Sequence, residues 1–341
     1  SHFNKEVVSL KEFSPRRALA SGMLAASLAV SFLVPAAAFP WSTPQESTTQ
    51  SGNQTPIARN MEFTTYKNVS LTGYLDALDQ EGDVLTFQLP STPARGAVTL
   101  AENGSSQFVY TPYENKTGKD SFTYTATDSA GNTSAEGKVT IHIQKANTRV
   151  DYADMKGDPA HKASIRLAEE GIYVGACHSG TYFFQPDRPV SRAEFLSLAM
   201  STTGLDRLDD VTLTGFWDDE AIPTWCKGYV SSALMAGVIQ GSRTDSGQCV
   251  FQPDAPVTLA EATVMLNKLL NITDVSVETF SPGHQGHWAA QATANLTATG
   301  ILRQEGLDVQ SISQELTLGD TAVMLDGALD VLDNRADNHW F

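Results

Sequence analysis

Two textures of hydrophobic patterning divide the chain. Between Met61 and Lys145, apolar and polar residues alternate in short runs, "VLTFQL", "GAVTL", "SQFVYTP", "DSFTYTATD" and "KVTIHIQ", separated by Gly, Asn, Asp and Pro. Alternation at period two places successive side chains on opposite faces of a strand. Runs this short, rich in Val, Thr, Phe and Tyr, predict an antiparallel β-sandwich of about seven strands over residues 61–145. After Ala146 the spacing of apolar residues lengthens to that of a helix. In "KASIRLAEEGIYVG", Ile165, Leu167, Ala168 and Ile172 keep helical spacing, and Gly171 and Gly175 break it. "SRAEFLSLAMSTTGL" opens on Ser191 with Glu194 three residues on, the pattern of a capping box.

The helical texture repeats. Gly171 recurs as Gly237 after 66 residues and as Gly300 after a further 63, and Phe184 recurs as Phe251 after 67. "FFQPDRPVSRAEF" returns as "VFQPDAPVTLAEA", and a weaker third version reads "HWAAQATANLTATGILRQEG" followed by "LTLGDTAVMLDGALDVL". A period of this size, with helix, loop and helix in each copy, predicts three small units that bury their faces against one another. Their expected bounds are 146–206, 207–272 and 273–335, with "NHWF" closing a tail at 336–341.

Upstream, "SPRRALASGMLAASLAVSFLVPAAAFP" has a basic flank at Arg16 and Arg17, an apolar run from Met23 to Val34, and small residues at Ala36, Ala37 and Ala38. That is the anatomy of a secretory signal spanning 1–38, which places the rest of the chain outside the cytoplasm. The alternatives are an uncleaved N-terminal membrane anchor, for which Ala18 to Ala38 is just long enough, and a buried core helix. Residues 39–60, rich in Ser, Thr, Gln and Pro, read as a linker.

Charge narrows the function. With 23 basic and 39 acidic residues, and a net charge of -16, the chain lacks the clustered Lys and Arg on which phosphate binding relies. Nucleic acid is therefore not an expected partner, and neither is an anionic surface held by long-range attraction. Cys177, Cys226 and Cys249 have no zinc spacing. They read as one disulfide plus a thiol or as three buried thiols, and Cys226 with Cys249, both in the second unit, is the expected pair. Glu169 and Glu170 are adjacent and so point apart on a helix, which argues against a catalytic carboxylate pair. His284 and His287 lack a third metal ligand. Asp76, Asp79, Glu81 and Asp83 precede one strand of the sandwich, Asp120 and Asp128 lie at loop positions further on, and calcium is the cofactor such carboxylates would take. Their spacing fits no defined calcium loop, however, and Asp is also a good turn former. No other cofactor is expected.

Two resemblances follow from these motifs. The segment from "LTGYLDALDQEGDVLTFQL" through "YTPYENKTGKDSFTYTATDSAGN" to "KVTIHI" resembles the bacterial cadherin-like and Ig-like modules of surface proteins. An aromatic-x-Asp opening, a helix ending in Gly-Ile or Gly-Val, a loop closing on Phe-x-Pro and a Val-Ser-Arg-Ala-Glu helix start resemble the surface-layer homology (SLH) domain. The first copy, with Tyr152, Asp154 and "FFQPDRPVSRAEF", carries the fullest set; the second has Phe216, Asp218 and Trp225, and the third keeps Trp288 but loses Phe-x-Pro. The implied architecture is multidomain: a small all-β cadherin/Ig-like sandwich, then an all-α pseudo-threefold bundle of three SLH repeats. The implied function is non-enzymatic: a secreted protein held at the cell wall by a secondary wall polysaccharide, often pyruvylated, with the sandwich as spacer or adhesion module. The alternative is a structural or assembly protein whose degenerate repeats pack against other surface proteins and bind no glycan.

Glycan contact would fall to Arg192, Glu194, Asp154, Trp225 and Trp288. Arginine suits a ketal carboxylate because its planar fork can meet both oxygens at once. Of the three copies, only the first has arginine at this position; Leu259 and Leu318 replace it in the others. A surface Arg192 paired with Asp187 or Glu194 is the plain structural alternative, and Glu194 itself has two expected roles, helix cap or orienting group.

Overall fold

The computed structural model describes residues 52–303 and 309–337. The segment read as a signal or anchor, most of the linker and the last tail residues lie outside the described residues.

The first region is all β. A small pair, β1 (Ile57–Ala58) and β4 (Ala77–Leu78), sits beside two sheets. One sheet runs β2 (Met61–Tyr66), β9 (Gly137–Gln144), β8 (Gly118–Thr127), β5 (Thr86–Gln88); the other runs β3 (Leu71–Tyr74), β7 (Gln107–Pro112), β6 (Gly96–Leu100). β1 falls within the stretch read as linker, so the sandwich reaches into that stretch. β2 pairs in parallel with β9, and every other ladder of the two sheets is antiparallel. The period-two pattern does what it predicts in β8, where Asp120, Phe122, Tyr124 and Ala126 face inward and their neighbours do not. Phe108 and Phe122 meet edge to face at 5.3 Å in the centre of the core, a geometry that favours the aromatic quadrupoles.

Two buried hydroxyls tie this core to loops. Tyr110 donates to Asp120 Oδ2 at 2.8 Å, and the same carboxylate accepts from the amides of Ala94, Arg95 and Ser121. Burial raises the Asp120 carboxyl, but these donors outweigh it and the net shift is downward. Tyr124 Oη bonds the Arg59 carbonyl at 2.6 Å and that of Asp76.

The second region corrects the all-α expectation. Its helices are α1 (His161–Glu169), α2 (Arg192–Thr203), α3 (Thr224–Met235), α4 (Leu259–Leu270), α5 (Val277–Phe280), α6 (Ala290–Ala298), α7 (Val309–Ile312) and α8 (Leu318–Asp337). Between α1 and α2 lies an antiparallel hairpin, β10 (Ala176–His178) with β11 (Thr181–Phe183). Another, β12 (Ser242–Arg243) with β13 (Cys249–Val250), lies between α3 and α4. Helices and strands are therefore mixed. Left-handed glycines lead from each first helix into its hairpin: Gly171 (φ 69°) and Gly237 (φ 71°) follow the helix ends, and Gly175 (φ 82°) and Gly241 (φ 75°) precede the strands, where a Cβ would fall 2.5 Å from the Phe183 carbonyl and 2.4 Å from the Phe216 ring. Strands of two or three residues are too short to show alternation.

A pseudo-threefold arrangement closes the unit. Val190 N donates to Leu316 O at 3.1 Å, Leu316 N to Val257 O at 2.9 Å, and Val257 N to Val190 O at 2.9 Å, a ring of three backbone bonds with one residue from each repeat. Phe184 and Phe251, fully buried, belong to the common core with these three residues. Repeat three returns to repeat one where α8 packs on α1. Arg166 reaches Asp326 (2.9 Å), Asp330 (2.5 Å) and Asp333 (2.8 Å), and Lys162 reaches Asp326 at 2.7 Å.

The two regions touch. Tyr66 and Val69 from the sandwich belong to the core of the helical unit, and Tyr66 Oη donates to Glu169 Oε2 at 2.6 Å. The Asn147 amide donates to the other oxygen of that carboxylate. The Arg303 guanidinium lies 4.0 Å from the centroid of the Tyr74 ring.

Candidate functional site

Each second helix of a repeat begins against the loop of the next repeat. Arg192 N donates to Ala255 O (2.9 Å), Leu259 N to Gln314 O (2.9 Å) and Leu318 N to Arg188 O (2.8 Å), so the three junctions share one backbone frame. Their side chains differ, and the candidate site is built from that difference.

At the junction of repeats one and two, Arg192 Nε donates to the Phe251 carbonyl at 2.9 Å and Nη1 meets Glu261 Oε1 at 2.7 Å, with the guanidinium 5.4 Å from the Phe251 ring centroid. Its side chain is only 7% exposed. Arg192 is thus neither a surface arginine nor a partner of Asp187 or Glu194; it pins repeat one to repeat two from inside. Glu261 does two jobs, since its Oε2 also accepts from Thr258 N in a complete capping box.

The box expected at Ser191 and Glu194 is only half formed. Ser191 Oγ accepts from the Glu194 amide at 3.2 Å, but the Glu194 carboxylate turns instead to Arg188, with Nη1 to Oε2 at 2.9 Å and Nη2 to Oε1 at 2.5 Å. That fork holds the Arg188 guanidinium well above its ordinary pKa, the hydrogen bond to Glu194 being the main cause. At the junction of repeats two and three, Leu259 replaces the arginine, and Asp320 caps Thr317 at 2.8 Å.

The other expected contacts scatter. Asp154 accepts from the amides of Phe184 (2.9 Å) and Gln185 (2.7 Å), and Asp218 does the same for Phe251 (2.8 Å) and Gln252 (2.7 Å). Both carboxylates hold a glutamine at positive φ, 63° and 59°, where the loop bends. Trp225 and Trp288 stand exposed, at 51% and 63%, near the starts of α3 and α6, and Pro159 holds the equivalent place in repeat one. Trp225 packs edge-on to Tyr229 at 6.5 Å, and Trp288 lies against His287 at 5.4 Å. Neither indole contacts Arg192 among the described residues. Trp217 and Leu213 edge a shallow cavity of about 380 Å³ with Gln248 and Cys249.

No disulfide links Cys226 to Cys249. Cys226 is buried within α3, where burial raises its thiol to about 12, while Cys249 is exposed on β13 with Sγ 3.3 Å from the Gln240 carbonyl. Cys177 is an exposed thiol as well. His284 is buried with Nδ1 2.8 Å from Ser281 Oγ, and the His287 ring lies against Trp288.

Of the acidic residues weighed for calcium, Asp79, Asp83 and Asp128 come together, each offering an oxygen within 4.8 Å of the others, while Asp120 is taken up by Tyr110 and three amides. Asp76 pairs instead with Arg59 at 3.1 Å, and Glu81 is exposed. Asp128 is tied to Asn53 and Asn132, and Asp79 Oδ1 accepts from Asp83 N, while Asp79 Oδ2 is buried and unpartnered. Three carboxylates could supply part of the six to eight oxygens that calcium takes.

Sequence reasoning missed Arg188 and the joining role of Glu261. The signal for Arg188 was present: it is Arg where the second copy has Ala255.

Comparison with known proteins supports both resemblances. Residues 53–142 match the family described as bacterial Ig domain, and residues 216–263 match the S-layer homology domain. The latter match falls on the second copy, although the first carries the fuller motif. The chain is 28% identical over 133 residues to a surface-layer 125 kDa protein of Lysinibacillus sphaericus, covering 39% of the chain and 11% of that protein. It is 23% identical over 186 residues to an amylopullulanase of Thermoanaerobacterium thermosulfurigenes, covering 52% of the chain and 9% of the enzyme. The chain thus spans only a small part of the curated relatives it matches. Among solved structures, an endo-fucoidan hydrolase of glycoside hydrolase family 107 aligns at 20% identity over 33% of this chain and 17% of that one, with a TM-score of 0.24. Domains 4 and 5 of the S-layer protein SbsC align at 17% identity over 27% of this chain and 53% of that one, with a TM-score of 0.20. Superpositions of this extent carry no functional argument. No helix among the described residues is long and apolar enough to cross a membrane.

Proposed function

We propose that this is a non-catalytic surface protein held at the cell wall by its repeat unit, which docks on a secondary wall polysaccharide, with the sandwich carried outward as a spacer or adhesion module. The observation that carries this reading is the ring of bonds through Val190, Val257 and Leu316: it makes three sequence copies, one of them matched to the S-layer homology domain, into a single body with three like junctions. In this reading Arg192 is a positioning residue that holds the first junction closed, and the exposed indoles of Trp225 and Trp288 are surfaces on which a sugar ring can stack.

The test is co-sedimentation of the purified protein with wall sacculi. The protein should pellet with intact sacculi and stay in the supernatant when the secondary polymer has been stripped. Trp225→Ala and Trp288→Ala should each reduce pelleting without changing the melting temperature. Pelleting that ignores removal of the polymer would defeat the glycan reading and favour the alternative, packing against other surface proteins. The inward-facing Arg192 and the inward-bonded Asp154 speak for that alternative.

A further inference from the structure

We infer that repeat two carries a docking site for a polypeptide segment that presents an apolar side chain between lysines or arginines, at the cavity formed by Leu213, Trp217 and the hairpin of β12 and β13. The site is separate from the three junctions, and the inference does not rest on glycan docking.

The cavity arises from an exchange of side chains on a shared frame. Trp217 N donates to Cys249 O at 2.8 Å, and in repeat one Ala153 N donates to Tyr182 O at 3.0 Å. The two bonds set each hairpin in the same place relative to its aromatic-x-Asp segment, so the copies can be compared position by position. Where repeat one has Tyr182, half-buried against the core, repeat two has the smaller Cys249. Where repeat one has Ala153, repeat two has Trp217, and Leu213 stands in the place of Arg149. The exchange takes a ring out of the hairpin and puts an indole at the rim. What results is the cavity of about 380 Å³ bordered by Leu213, Trp217, Gln248 and Cys249.

Leu213 is 76% exposed and Trp217 70%, two large apolar side chains left in water at one opening. Single exposed apolar residues are ordinary, but a pair sharing a concave surface marks a binding site. The surrounding chain sets the charge of the partner. From Asp206 to Lys227 there are six carboxylates and two cations. Both cations are engaged: Lys227 Nζ meets Asp219 Oδ2 at 2.5 Å and the Thr212 carbonyl at 3.0 Å, and the Arg207 guanidinium lies 5.9 Å from the Tyr229 ring centroid. The carboxylates of Asp206, Asp209, Asp210 and Glu220 are exposed and make no hydrogen bond or ion pair among the described residues. Asp209 and Asp210 lie just before Leu213 in the chain, and Glu220 just after Trp217. An apolar opening flanked by unneutralised acids complements a segment whose apolar side chain enters the cavity while its cations meet the rim. An acidic glycan is repelled by the same carboxylates. A second copy of this chain, docked about a twofold axis, would set them against themselves.

Two exposed thiols make the test specific to the site. Cys249 borders the cavity, and Cys177, on β10 of repeat one, does not. The full chain is alkylated with iodoacetamide in the presence of synthetic peptides of equal length that alternate Lys with Leu, Lys with Ser, or Glu with Leu, and the rate at each thiol is read by mass spectrometry. The Lys/Leu peptide should slow alkylation of Cys249 and leave Cys177 unchanged, and the other two should slow neither. Trp217→Ala truncates a side chain that lies mostly in solvent, so the melting temperature should hold. It should raise the peptide concentration needed for protection roughly tenfold or more, the scale of an interface hot spot. Asp209→Asn combined with Glu220→Gln should raise it too and flatten its salt dependence. Glu102→Gln combined with Glu114→Gln, the same change of charge at exposed positions of the sandwich, should not. Equal slowing at both thiols, or equal protection by the Lys/Ser peptide, would reduce the effect to attraction by net charge and overturn the site. Protection by the Glu/Leu peptide would overturn it as well, as would no protection at all or undiminished protection in Trp217→Ala. Protection of Cys249 that grows with protein concentration in the absence of peptide would make a second copy the occupant and overturn the assigned partner.

Discussion

In the sandwich, every buried ring sits on a hydrogen-bonded sheet, and the two buried tyrosines are tied in by neutral groups: Tyr110 and three amides donate to Asp120, and the Tyr124 hydroxyl meets two backbone carbonyls. Among the described residues of the repeat unit, no element is held by a large sheet. The three copies meet through three backbone bonds at the centre and through ion pairs at the seams, Arg192 with Glu261 and Arg166 with three aspartates of α8. The difference teaches where variation is tolerated. A sheet strand fixes its neighbours on both sides, whereas a seam between quasi-independent repeats can replace arginine by leucine and keep its backbone bond, as Leu259 and Leu318 do. Ligand chemistry can therefore change at one seam while the frame stays.

The largest test breaks one region at a time. Phe122→Ala in the sandwich and Phe184→Ala in the repeat unit each remove a fully buried ring, with an expected cost of about 3–5 kcal/mol. If the regions are separate cooperative units, calorimetry should show one transition falling with each substitution while the other stays. Phe184→Ala should also lower helical circular dichroism first, because Phe184 lies in the core common to all three repeats. If either variant lowers both transitions together, the comparison collapses and the chain unfolds as one unit.

Acid should sharpen the contrast by a smaller margin. Asp219 is drawn down to about 2, chiefly by the hydrogen bond from Lys227 and then by those from Thr214. Its folded pKa lies below its unfolded value of about 3.9, so the stability it contributes is present above pH ~4 and is lost as pH falls toward 2. Lys227→Met removes the main cause and should flatten this acid limb of the helical signal. Asp120 is also depressed, but its donors are neutral, so the acid loss of the sandwich, followed in the tyrosine bands, should stay where it is in that variant. An acid limb in Lys227→Met identical to that of the wild type would remove Asp219 as its source.

Much of the sandwich was legible because its signals are local. The runs around Thr86, Val98, Tyr110, Tyr124 and Ile141 all became strands. The parallel pairing of β2 with β9 was not legible, since it joins segments about as far apart as the region allows, and neither was the gathering of Asp79, Asp83 and Asp128. In the repeat unit the helix starts and the threefold period were readable, while the hairpins were hidden by their length. The candidate site was half legible. Arg192 stood out by comparing copies, but its burial depends on the Phe251 loop of the next repeat, which no local pattern reveals. Arg188 looked like a loop residue because the acid it meets lies six positions on, around a turn, and the leucine that leaves this acid without a cross-repeat partner lies in the third copy.

The smallest predicted effect probes the contact between the regions. Tyr66 is 3% exposed, packs into the helical core from the sandwich and donates to Glu169, whose other oxygen takes the Asn147 amide at the start of the connection. Tyr66→Phe keeps the ring and removes one hydroxyl. Glu169 is only partly buried, so water can replace the lost donor, and the cost should be about 1 kcal/mol. The informative quantity is the gap between the two unfolding transitions. If the hydroxyl couples the regions, its loss should widen the gap while leaving the wall-binding assay unchanged, because neither Tyr66 nor Glu169 is among the residues proposed to contact the wall polymer. If the gap does not move, the coupling rests on the apolar contact of Tyr66 and Val69 with the helices. In that case Val69→Ala, which removes buried surface but no hydrogen bond, should separate the transitions.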